Sequence, residues 1–129
     1  MYIVTAVIEV GAGVALMFCP SATVVLLLGS GLDTTAAVTL GRVAGAALFT
    51  LGVACWLAQY DARSCAARGL VSAMVLYNFG AVVILGTAAV QLQPVGVALW
   101  PAIVLHAVMT AWSVTCLLRK PTQISEKPK

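Results

Sequence analysis

LVSAMVLYNFGAVVILGTAAV, residues 70–90, contains no Asp, Glu, Lys or Arg. A hydrocarbon core about 30 Å thick is crossed by a helix of about 20 mainly apolar residues, and this run has that length and composition. Working outward, the same criterion finds three more segments. Residues 95–118 are also uncharged, residues 36–58 hold only Arg42, and residues 2–18 hold only Glu9 at the short end of the range. The sequence therefore predicts an all-α integral membrane four-helix bundle over residues 1–118. A polar tail, residues 119–129, is expected to be disordered.

Composition agrees. Of 129 residues, 62% are apolar and 9% charged, against about 25% charged in soluble domains. Mean hydropathy is +1.06. The net charge of +3 is small, and the basic residues form short clusters rather than one face, which argues against nucleic-acid binding. The N-terminal run starts without Lys or Arg and is interrupted by Glu9, so it reads as a retained membrane helix rather than a cleaved signal. Cys19, Cys55, Cys65 and Cys116 form no CxxC pair, and they read as apolar fillers and a loop thiol rather than metal ligands.

After Pro20, the run 21–28 is apolar but too short to span, because a helix rises only about 1.5 Å per residue. It could continue the first helix beyond a kink; the preferred reading is a short interfacial helix at the outer surface. Ser21 could cap it, and Gly29-Ser30-Gly31 would end it.

Orientation follows the Lys and Arg residues. Arg63 and Arg68 lie in the second loop, and Arg119, Lys120, Lys127 and Lys129 lie in the tail. With four spans these regions share a side with the N-terminus, and the opposite loops carry no basic residue. Both termini are thus expected in the cytoplasm of a cell whose inner (plasma) membrane holds the protein. Small residues that let backbones approach in lipid, Gly41 and Gly45 on the second helix and Gly11 and Ala15 on the first, predict close packing within the bundle.

Ionisable residues inside a span are costly and default to a functional hypothesis. Glu9 and Arg42 are the two such residues here, and Asn78 and His106 are polar groups in the third and fourth spans. At 1.5 Å per residue, Glu9 and Asn78 lie roughly 12 Å from the cytoplasmic face and His106 about 15 Å from the outer one. Arg42 is shallower, but its long side chain can reach inward. His106, Thr110 and Ser113 share i, i+4, i+7 spacing and form one polar stripe. Met74 and Asn78 share a face of the third span, with Tyr77 adjacent. Two readings of this set stay open. A Glu9–Arg42 pair with Asn78 and His106 could serve only helix registration. Alternatively, Glu9, Arg42, Asn78, His106, Thr110 and Ser113 could form a mid-membrane site for a proton or ligand. In that site His106 would suit proton exchange or a hydrogen bond to a ligand carbonyl. A lone histidine could give bis-histidine haem ligation only across a dimer. No cofactor or metal is expected. P-loop, nucleophile elbow, HExxH and dinucleotide motifs are absent, so the reading leans away from an enzyme.

Leu26–Tyr60 (LLLGSGLDTTAAVTLGRVAGAALFTLGVACWLAQY), Arg68–Asn78 (RGLVSAMVLYN) and Leu99–Ser113 (LWPAIVLHAVMTAWS) resemble small uncharacterised four-helix proteins of bacterial inner membranes, similar in layout to the broad DoxX-like group. The resemblance makes a link to quinone-based redox systems conceivable and assigns no site residue. Expected partners are the lipid bilayer, a small lipophilic ligand, and a homo-oligomer or larger membrane complex.

Overall fold

The computed structural model describes residues 1–62, 64–92 and 94–118. The tail and the basic residues Arg63, Arg119, Lys120, Lys127 and Lys129 lie outside the described residues. Within them the chain is all-α. Its helices are α1 (Tyr2–Phe18), α2 (Pro20–Leu28), α3 (Thr35–Ala58), α4 (Cys65–Gln91) and α5 (Leu99–Leu118), with a 3-10 turn at Gln59–Asp61.

Three helices, α3 with its following turn, α4 and α5, are long and apolar enough to cross a membrane. α1 has 17 residues, about 25 Å at 1.5 Å per residue. The chain then turns through 115° into α2, so residues 20–28 form a separate short helix rather than prolonging α1. Pro20 occupies the first turn of α2, where a missing N–H is tolerated. The cap expected from Ser21 is replaced: Cys19 is the N-cap, without a side-chain hydrogen bond. Ser21 Oγ instead accepts from Leu32 N at 3.1 Å, tying the loop after α2 back onto it. Gly29 ends α2 at φ 79°, a left-handed conformation that favours glycine.

Two boundaries move from their expected places. α4 starts at Cys65 rather than at residue 70, because Ser64 Oγ accepts from Ala67 N at 3.0 Å and caps the helix there. A hydropathy reading stops short of this turn because it contains Arg68. α5 starts at Leu99 rather than 95. The residues before it lie against α2, with Ala98 N donating to Leu26 O at 2.8 Å and the Gly96 backbone pressed on the Leu26 carbonyl.

The helices associate as two pairs, α1 along α3 and α4 along α5, more extensively than in any other combination. α1 and α3 meet backbone to backbone. A Cβ on Gly45 would come 2.7 Å from Met17 N and 2.8 Å from Gly13 O, and a Cβ on Gly13 would come 2.6 Å from Phe49 N. Gly52 is equally confined, against Val10 N at 2.9 Å. The expected small-residue contact therefore exists with different members. Gly13 takes the place of Gly11, which has nothing within 4 Å, and Gly41 packs on Leu32 and Pro20 rather than on α1.

The two pairs join through side chains. Ala6, Cys55 and Met74 form a buried cluster supported by Leu51, Leu70 and Tyr77. The Cys55 thiol donates to Met74 Sδ at 3.5 Å. At one end of the assembly, Tyr2 Oη donates to Ala67 O at 3.4 Å and Ser113 Oγ to Met1 Sδ at 3.7 Å.

Candidate functional site

Between the two pairs lies a cavity of about 490 Å³. Its walls are aliphatic, including Leu16, Leu48, Ile84, Leu85 and Leu105, and α2 contributes Thr23 and Leu27. Glu9, Tyr77 and His106 are its strongly polar lining residues. A second cavity, of about 500 Å³ between α1 and α3, is lined only by apolar side chains and Gly11. A pocket with apolar walls and a few convergent polar groups is the usual form of a small-molecule site, and the first cavity has that form.

Each polar group is positioned from its own helix. Asn78 is 1% exposed, and a bare amide at that depth needs partners. It has two: Nδ2 donates to Met74 O at 2.8 Å, one turn back on α4, and Oδ1 meets His106 Nδ1 on α5 at 2.7 Å. The first bond fixes the second. Turning the amide over would face its oxygen onto the Met74 carbonyl, so Oδ1 stays toward His106 and Nδ1 must carry the proton. Nε2 is then the lone-pair nitrogen. It has no partner among the described residues, where the single buried and unpartnered side-chain N or O atom is Gln59 Nε2. Nε2 is therefore open rather than sealed in. The Tyr77 ring stands edge-on to the imidazole, 5.7 Å between centroids at 82°.

Glu9 is 3% exposed, and it shares the cavity wall with Tyr77. Neighbouring positions on α4 thus both meet His106 of α5, Asn78 by its amide and Tyr77 by its ring. Tyr77, Asn78 and His106 make one connected group, and Glu9 lines the cavity with Tyr77 and His106.

The other expected members stand apart. Arg42 is exposed on α3, and no ion pair joins it to Glu9 among the described residues. The fixed contacts of Gly45 and Gly52 with α1 set the α3 register, and that register leaves residue 42 outside. Thr110 Oγ1 donates to His106 O at 2.8 Å within its own helix, a common outlet for helical hydroxyls. Ser113 is buried but bonded to Met1, toward the end of α5. The polar stripe of α5 is therefore three groups with three separate partners. The cavity also has lining residues that the sequence does not single out. Tyr77 is next to Asn78 in the chain, and a phenol one residue from a mid-span amide is itself a costly group needing a partner. The α2 residues Thr23 and Leu27 carry no sequence signal, since their place depends on the turn at Cys19.

No group of three or more His, Cys, Asp or Glu able to hold a metal ion is present among the described residues. Compared with protein-family models, curated proteins and solved structures, the chain matches none.

Proposed function

We propose that this is a multi-pass protein of the plasma (inner) membrane that binds a small lipophilic molecule, quinone- or lipid-like, between its two helix pairs. The observation carrying this reading is the cavity itself. It places an open imidazole nitrogen, Glu9 and Tyr77 at the edge of a space with otherwise aliphatic walls. The apolar body of a ligand would lie along Leu48, Ile84, Leu85 and Leu105, and its polar end would meet His106. The same residues could pass a proton, with His106 as the exchanging group.

In this reading α1 makes a fourth crossing, and four spans put both termini in the cytoplasm with Arg68. The layout resembles the DoxX-like group, which is consistent with a bacterial inner membrane. Orientation is open to a direct check, because Cys19 and Cys65 are both exposed and belong to opposite sides. In single-cysteine variants, an impermeant maleimide should label Cys19 in intact cells and Cys65 only after permeabilisation. The reverse order would invert the topology.

A second reading, an accessory subunit of a larger membrane complex, is favoured by one observation. The 2.7 Å Asn78–His106 bond links α4 to α5 and would serve helix packing whether or not a ligand binds. Native mass spectrometry of wild type and His106→Ala separates the two. Ligand binding predicts a small molecule retained by wild type and lost from the variant. No bound molecule in either protein would favour the subunit.

A further inference from the structure

We propose that the cavity selects lipophiles with a hydroxyl head over those with a carbonyl head, because His106 is held with Nε2 as a hydrogen-bond acceptor. The proposal rests on the reading that the cavity binds a small lipophilic molecule, and it names that molecule's chemical class.

Three groups in a row fix the imidazole tautomer. The Met74 carbonyl can only accept, so the Asn78 amide must turn its NH₂ toward it, at 2.8 Å. That turns Oδ1, which also can only accept, onto the imidazole at 2.7 Å. Nδ1 therefore donates, and a neutral imidazole has one N–H to give. Nε2 presents a lone pair. Asn78, at 1% exposure, has no water-filled space in which to rearrange.

The imidazole is the one polar group at this end whose proton is fixed by its hydrogen bonds. A ketone or quinone oxygen brought to this end would face Nε2, lone pair to lone pair. An alcohol, a quinol or a monoacylglycerol would donate its O–H to Nε2. A site built for a donated hydrogen bond discriminates against a ligand that cannot supply it, because its own acceptor is left unpaired. We expect a preference on the order of tenfold for the alcohol over the ketone of equal chain length.

The chain contains a single histidine, so ¹⁵N-histidine labelling gives one imidazole to observe and no assignment problem. The experiment uses the full chain in lipid nanodiscs, titrated with 1-decanol and separately with 2-decanone. Tyrosine side-chain resonances serve as a second reporter of occupancy. Without additive, Nδ1 should give a protonated, pyrrole-type resonance and Nε2 an unprotonated, pyridine-type one. Decanol should shift Nε2 while Nδ1 keeps its proton, and decanone should do so at roughly tenfold higher concentration or not at all. An Nε2–H tautomer in the wild type overturns the proposal. So does an equal response of the Tyr77 and His106 signals to both probes, which would leave ligand binding standing without the selectivity. No response to either probe overturns the binding reading and the proposal with it. Asn78→Ala frees the ring, and its Nδ1 preference and its alcohol preference should disappear together; retention of both would contradict the assigned chain.

Discussion

Gly45→Ala should destabilise the protein by about 3 kcal/mol, at the upper end of ordinary overpacking costs, although the substitution adds one methyl group. The added Cβ would meet Met17 N at 2.7 Å, Gly13 O at 2.8 Å and Leu16 Cβ at 2.9 Å. Two of these are backbone atoms of α1, which no rotamer change can move. The helix itself must shift, and α1 carries Glu9 into the cavity. Helix association in lipid has little hydrophobic driving force and depends on close van der Waals contact, so separating α1 from α3 removes the main source of their affinity. Gly11→Ala is the matched comparison. It lies on the same helix with nothing within 4 Å, and replacing a helical glycine should leave stability unchanged or raise it by up to about 1 kcal/mol. Detergent unfolding titrations of the two variants beside wild type would check both signs. Gly13→Ala should resemble Gly45→Ala, and the double variant should fall short of the sum, because each methyl group is directed at the other glycine's surroundings.

The second large effect concerns the cavity. Gly80 lines it, and a Cβ at that position would meet nothing within 4 Å. A side chain can therefore be added there without disturbing helix packing, and a phenyl group would take up space in a cavity of about 490 Å³. Gly80→Phe leaves Glu9, Tyr77, Asn78 and His106 unchanged. It should nevertheless reduce bound ligand by roughly tenfold or more, a loss of at least about 1.4 kcal/mol in binding. Gly69→Phe makes the same change on the same helix, at an exposed position where a Cβ also meets nothing and which is not part of the cavity lining. It should bind as wild type does. The pair separates occupancy of the cavity from any general effect of a phenylalanine on α4.

Much of this arrangement is written in residue type and spacing. Uncharged runs of spanning length fix α4 and α5, because little else makes such a stretch soluble in its surroundings. Asn78 and His106 stand out as interhelical hydrogen-bond links, since each is a costly group in an apolar helix; that they bond to each other is seen only in the structure. Glu9 is equally visible as a costly group, but the residue of opposite charge does not meet it. Opposite charge suggested Arg42, whereas the α3 register is decided by where glycines admit the α1 backbone, and sequence alone does not say that Gly13 rather than Gly11 faces Gly45. Thr110 illustrates a different limit. Its spacing from His106 is that of a shared face, but a hydroxyl at i+4 satisfies itself on its own helix. The 115° turn after α1 has only Pro20 as a local signal. Its consequence, α2 packed against the residues before α5, depends on the distant Gly96 leaving room for the Leu26 carbonyl.

The central claim, that the space beside Glu9, Tyr77 and His106 holds a small lipophilic molecule, is tested most directly by what leaves the membrane with the protein. Wild type, Gly80→Phe and Gly69→Phe would be purified in parallel and extracted with organic solvent, and the released small molecules quantified by mass spectrometry per mole of protein. A species present at near-stoichiometric level in wild type and Gly69→Phe, and roughly tenfold lower in Gly80→Phe, is the predicted result. Equal amounts in all three proteins, or no enriched species in wild type, would contradict it.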